Sequence, residues 1–174
     1  MPCGMPAGRR RLRLPTQANM ARRAIAKRQT GNMSSVRRFV PDADGGYRWD
    51  AVDRLRYKEE GSAPFKDITR QVLFEQPDQA AQLRYFEVAP GGYSTLERHQ
   101  HTHAVLILRG RGTVRIGTDT HVVGERDLVT VDPLVWHQFH AAPDCPLGFL
   151  CLVARERDRP QLPGEDDRAA LGVR

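Results

Sequence analysis

Residues 97–110 read ERHQHTHAVLILRG and carry the decisive pattern of the chain. Glu97, His99, His101 and His103 recur at spacing two and lead directly into the apolar run Ala104–Leu108. Residues two apart on a strand share a face and stand about 6–7 Å apart along it. The stretch therefore reads as the entry to a β-strand that presents potential metal ligands on one side.

The same period of two continues on both sides. Upstream, Leu83, Tyr85 and Glu87 alternate with Arg84, Phe86 and Val88, and Thr69–Phe74 (TRQVLF) favours a strand. Downstream come Thr113–Ile116, His121–Val123, Leu128–Val131, Trp136–Ala141 and Gly148–Val153. Pro90-Gly91-Gly92, Gly110-Arg-Gly112 and Gly117-Thr-Asp119 punctuate them as turns. Short β-branched runs separated by Gly, Pro and Asp every ten residues or so predict an all-β antiparallel sandwich or barrel. Several runs are apolar on both faces, as when a sheet packs on a second sheet and also on an outer layer or a partner.

Composition excludes other classes. The 174 residues suit one domain with an appendage. The longest run free of charged and strongly polar groups, Leu147–Ala154, is far shorter than the roughly 20 residues of a membrane helix. Three cysteines, Cys3, Cys145 and Cys151, are too few for a disulfide framework. Net charge is +6, but ten of the 27 basic residues and none of the acidic ones lie in residues 1–38. The rest of the chain holds 17 basic and 21 acidic groups, so the high pI argues poorly for a nucleic-acid partner. There is no phosphate-binding loop, dinucleotide fingerprint, nucleophile elbow or zinc ribbon.

Four segments follow. Residues 1–38 read as a disordered basic extension, with 1–32 read as an upstream addition ahead of a start at Met33. Residues 39–80 lead into the barrel through strands and loops, 81–155 form its core, and 156–174 read as a charged, proline-broken surface tail. With neither a secretory signal nor a membrane span in view, a reduced cytoplasmic setting is expected.

All six histidines lie between 99 and 140. A divalent metal takes three or four N/O ligands at about 2.0–2.2 Å, and one strand spreads its side chains along a line. Ligands from a strand, from its entry and from a neighbouring strand can converge inside a barrel. Glu97, His99, His103 and His137 fit that arrangement, and imidazole with carboxylate suits Fe, Mn, Ni, Zn or Cu. His121 and His140 read as surface residues. Tyr85, Val105, Ile107, Phe139, Phe149 and Cys151 are assigned to the floor of the substrate pocket.

The segment Gly91-x5-Glu97-x-His99-x3-His103-x6-Gly110 resembles the first motif of the cupin family, G-x5-H-x-H-x3/4-E-x6-G. The segment from Gly124 (GERDLVTVDPLVWHQF) is similar to the second motif, and His137 takes its ligand position. Glu97 stands where the family has its first His and His103 where it has its Glu, so three His and one Glu are kept with two positions exchanged. Asp132 and Leu134 replace the Pro and Gly of the second motif. His101 sits between two proposed ligands; it can replace Glu97 at the metal or steer a ligand or substrate, and the second role is preferred, which makes it the candidate catalytic residue. The resemblance implies a double-stranded β-helix (a jelly-roll barrel), one divalent metal per chain and homodimers formed by sheet packing. It implies a metal-dependent enzyme of oxygenase, isomerase or decarboxylase type acting on a small molecule, or else a non-catalytic sensor with a structural metal. Phe149-Leu150-Cys151 resembles the last strand of small metal-binding cupins, where the F-x-C pair faces the pocket.

Overall fold

The computed structural model describes residues 34–173 apart from residue 44. Of the expected disordered extension 1–38, residues 1–33, with the start at Met33, lie outside the described residues, and residues 34–38 are exposed and in no strand or helix, with the Arg38 carbonyl accepting from the Asp50 amide at 2.8 Å.

Eight strands and one helix build the described structure: β1 (Leu55–Arg56), β2 (Lys66–Phe74), β3 (Ala81–Tyr93), β4 (His103–Ile116), β5 (Asp119–Gly124), β6 (Leu128–Val131), β7 (His137–Ala141), β8 (Leu147–Ala154) and α1 (Glu165–Leu171). All strand pairs are antiparallel, and the sheet closes into a barrel because β3 and β4 are long enough to serve several neighbours, β2, β7 and β8 for β3 and β5 to β8 for β4. The first half of β3 pairs with β8 and its end with β7. The first half of β4 pairs with β6 and β8, and its second half with β5 and β7.

Two expected turns are therefore strand interiors. Pro90-Gly91-Gly92 is an excursion inside β3, where pairing to β2 jumps from Val88 opposite Ile68 to Tyr93 opposite Lys66. Gly110-Arg-Gly112 carries β4 from one set of partners to the other. Gly110 has φ +72°, and a Cβ there would meet the Pro146 carbonyl oxygen at 1.9 Å. Glycine is required here for a bend within a strand, the use that a reading of Gly as a hairpin signal overlooks.

The inward face is one apolar cluster. Ile68, Phe86, Val88, Val105, Ile107, Phe139, Phe149 and Cys151 are among its members. Phe149 stacks between Phe86 and Phe139, with ring centroids at 5.3 and 4.6 Å. The opposite face of β3 is covered by the chain's own residues: Tyr47 and Trp49 pack on Tyr85 at 6.0 and 5.1 Å, with Phe39 behind them. That outer layer explains why β3 is apolar on both sides. A second outward surface carries Leu106 on β4, Leu128 on β6 and Leu152 on β8, which are 38, 69 and 47% exposed.

The chain after β8 is not a free tail. Gln161 pairs with Arg98 through two backbone hydrogen bonds, Arg115 Nη1 donates to the Leu171 carbonyl at 3.0 Å, and Leu171 is buried. The segment crosses the barrel mouth and delivers Arg157 and Asp158 to it.

Candidate metal centre

Inside the barrel lies a cavity of about 210 Å³, below the roughly 300–1,000 Å³ of drug-sized sites and suited to a small metabolite. Its wall includes Glu97, His99, His101, His103 and His137, with Phe86, Phe139, Phe149 and Cys151 on the apolar side. Glu97 and His99 sit on the crossing from β3 to β4, His103 opens β4 and His137 opens β7. Glu97 and His137 are joined as a backbone bridge, which brings their side chains together from segments forty residues apart. Potential ligand atoms of Glu97, His99 and His137 lie within 4.8 Å of one another, as do those of His99, His101 and His103. His99 belongs to both groups. The rings of His103 and His137 are 5.2 Å apart.

The histidines are prepared as neutral donors. His99 Nδ1 donates to the His101 carbonyl at 3.0 Å and His137 Nδ1 to the Val135 carbonyl at 2.9 Å. His103 Nδ1 lies 3.5 Å from Cys151 Sγ. Tying Nδ1 in this way leaves the Nε2 lone pair free for a metal. Nε2 of His99 and of His103 are buried and have no hydrogen-bond partner among the described residues. A buried polar atom without a partner is costly, and a cation at this position would satisfy both. Burial, with neighbouring imidazoles, lowers His99 to about 4 and His103 to about 2; burial also lowers His137. All three are neutral at physiological pH, the state a metal requires. The donor set therefore fits a divalent ion.

The other members are held differently. Glu97 pairs with Lys58 and accepts from Tyr57 Oη at 3.4 Å. His101 stacks on His99 at 3.8 Å, and its Nδ1 meets Asp158 Oδ1 at 3.0 Å. Asp158 in turn accepts from the Gln100 amide at 2.9 Å. Cys151 is a buried free thiol, and burial pushes it up to about 12.

Three of the six residues assigned to the pocket floor, Phe139, Phe149 and Cys151, line the cavity. Val105 and Ile107 are in the core without reaching the cavity wall. Tyr85 lies on the opposite face of β3, bonded to Glu87 under the outer aromatic layer. The alternation of β3 has two phases, both apolar, and the inward phase is Arg84, Phe86 and Val88. His121 is exposed, whereas His140 is half-buried against Tyr93 at 5.5 Å, with burial lowering its pKa. The sequence reading missed Lys58, Arg70, Arg84, Arg157 and Asp158, all of which line the cavity. The parity of Arg84 with Phe86 was a usable signal; nothing local marks Lys58 or Asp158.

A closed antiparallel barrel with a cluster of imidazoles and a carboxylate turned into its mouth defines a double-stranded β-helix protein with a group that could hold a metal. Residues 84–153 match the cupin domain. The chain is 59% identical over 125 residues, 72% of its length and 80% of the relative's, to the 1-methylthio-D-xylulose 5-phosphate methylsulfurylase of Rhodospirillum rubrum. Among solved structures it resembles a cupin-2 domain protein of the same organism, at 55% identity and TM-score 0.68, covering 76% of this chain and 86% of that one. It also resembles a cupin 2 conserved barrel domain protein of Rhodopseudomonas palustris, at 51% identity and TM-score 0.69, covering 78% and 90%. The chain belongs to the cupin family.

Proposed function

We propose that this protein cleaves the carbon–sulfur bond of a methylthio-pentulose phosphate, the substrate class in the name of its Rhodospirillum rubrum relative. The supporting observation is the free thiol of Cys151 in the cavity wall, 3.5 Å from His103 Nδ1. In such a substrate the methylthio group is on C1, next to the C2 ketone. Cys151 Sγ loses its proton and attacks the methylthio sulfur. The S–S bond forms as the C1–S bond breaks, and the electron pair moves onto C1 and is delocalised to the C2 oxygen. A proton delivered to C1 completes a methyl group and a 1-deoxy-pentulose phosphate. Cys151 is left as a methyl disulfide; a small external thiol takes the methylthio group as its own mixed disulfide and restores the cysteine thiol.

Each side chain has a task. His103 is placed to donate from Nδ1 to the sulfur, and Arg84 and Arg157 offset part of the rise that burial imposes on the thiol. His101, oriented by Asp158, carries a proton at Nε2. The proposed metal ligands are Glu97, His99, His103 and His137. A divalent cation bound there (Fe, Mn, Ni, Zn or Cu) supplies Lewis-acid stabilisation of negative charge on a substrate oxygen. Phe86, Phe139 and Phe149 exclude water from the reacting sulfur. This reading takes the place of the oxygenase, isomerase and decarboxylase expectations, which the relative's name does not support.

The test is direct. Metal-loaded protein given 1-methylthio-D-xylulose 5-phosphate and a small thiol should lose the S-methyl proton resonance and gain a C1 methyl resonance. No turnover with any of the five metals would overturn the proposal. The expected homodimer is proposed on the face carrying Leu106, Leu128 and Leu152; light scattering should report a dimer for the parent protein and a monomer for Leu128→Glu, and a parent monomer would contradict it.

A further inference from the structure

We propose that Arg70, Arg84 and Arg157 form an anion subsite of the cavity that takes the phosphate of a sugar phosphate and fixes which end of the substrate faces Cys151. The proposal rests on the sugar-phosphate reading above and assigns the residues that would enforce it.

Three elements meet here. Arg70 comes from β2, Arg84 from β3 and Arg157 from the segment after β8, and all three line the cavity. In the strand register Arg84 stands between Val72 on one side and Cys151 on the other, and Arg70 stands opposite Phe86. The cations thus share the inward face with the thiol and the stacked phenylalanines.

Among the described residues none of the three lies within ion-pair distance of a carboxylate. The acidic groups of the cavity are engaged elsewhere, Glu97 by Lys58 and Asp158 by His101. Among the described residues the polar group that joins Arg84 and Arg157 is neutral: Gln82 Oε1 accepts from Arg84 Nε and, at 3.2 Å, from Arg157 Nη1. That bridge leaves the terminal amino groups of Arg84 uncommitted. Arg70 Nε is buried with no hydrogen-bond partner. Burial, with repulsion from Arg157 and Arg70, lowers Arg84 to about 10, and burial with Arg70 lowers Arg157 in the same direction.

Glu75 acts on Arg84 and Arg157 from beyond ion-pair distance and is outweighed by burial and the mutual repulsion of the arginines, and like charges gathered in a half-buried site with so little compensation are unfavourable by themselves. They suit a dianion with several acceptor oxygens, and guanidinium forks match phosphate geometry two bonds at a time. The cavity therefore has a cationic wall that reaches to the thiol, a histidine wall and an apolar wall. A molecule with phosphate at one end and a ketone beside sulfur at the other meets all three.

Calorimetry on the metal-loaded full chain tests this with D-xylulose 5-phosphate and D-xylulose, which contain no sulfur to cleave. The phosphorylated sugar should bind more tightly by on the order of a hundredfold. Arg70→Gln and Arg157→Gln together should reduce that preference to a few-fold while leaving metal content and thermal midpoint near those of the parent. The exposed Arg157→Gln alone should lose about tenfold, so the test does not depend on the double variant folding. Equal binding of the two sugars, or a preference that survives both variants, overturns the subsite. Tight phosphate-dependent binding without cleavage of the methylthio substrate keeps the subsite and overturns the reaction; cleavage of an unphosphorylated methylthio-xylulose at the parent kcat/KM does the reverse.

Discussion

Glu97 and His137 face each other across a two-way backbone bridge, with the Glu97 amide 3.2 Å from the His137 carbonyl and the His137 amide 3.0 Å from the Glu97 carbonyl. The bridge fixes where the β3–β4 crossing meets β7, and so brings the two proposed ligands on those segments together. His137→Ala should leave the bridge intact, since it is made by main chain, and remove one imidazole from the cavity. Elemental analysis should show about one divalent metal per chain in the parent and a loss of tenfold or more in affinity in the variant, with the barrel still folded by circular dichroism. Full metal retention would remove His137 from the ligand set.

The depressed histidines give the metal-free protein a defined acid sensitivity. His99 binds its proton near 4 in the folded chain and near 6.5 when free, so the unfolded chain holds more protons between those values. Stability is fully present above 6.5 and falls as pH drops through 6.5 toward 4; His103 acts in the same direction and over a wider range. Denaturant melts of chelator-treated protein at pH 7, 6 and 5 should show midpoints falling in that order. A flat or rising series would show that these rings are hydrated in the folded state.

Asp158 holds His101 at 3.0 Å and has no other side-chain partner among the described residues. Asp158→Asn keeps the shape and removes the charge that orients the imidazole. Turnover should fall by about ten- to a hundredfold with a shifted pH profile, while metal content stays at the parent level. Loss of metal instead would make His101 a ligand.

Phe149 is nearly fully buried between Phe86 and Phe139. Phe149→Ala opens a void where β8 crosses the cavity and should cost about 3–5 kcal/mol in urea unfolding. A cost under about 1 kcal/mol would mean that the aromatic stack does not hold the barrel together.

Much of this was legible in the residues, and the misses have physical causes. The spacing of Glu97, His99 and His103 points to the cluster, although only His103 lies in a strand: Glu97 and His99 sit on the crossing before β4, where the His99 and His101 rings stack at 3.8 Å instead of the about 6–7 Å that a strand would give. His137 follows from its place at the head of a later strand. Strand period, however, gives alternation without phase: β3 is apolar on both faces because Tyr47 and Trp49 cover the outside, so Tyr85 was assigned to the wrong one. Gly110 bends a strand where glycine usually signals a hairpin. Lys58 follows a short stretch of weak alternation, Arg157 and Asp158 come from a segment with no strand period, and only tertiary contact brings the three to the cavity mouth.

The central claim is that sulfur passes to Cys151. Metal-loaded protein mixed with 1-methylthio-D-xylulose 5-phosphate in the absence of any added thiol, then quenched in acid and digested for mass spectrometry, measures it directly. The peptide containing Cys151 should carry one methylthio group, removed by dithiothreitol, and Cys151→Ser should give neither adduct nor 1-deoxy product. An unmodified Cys151 peptide alongside a stoichiometric yield of 1-deoxy-xylulose phosphate would contradict the account.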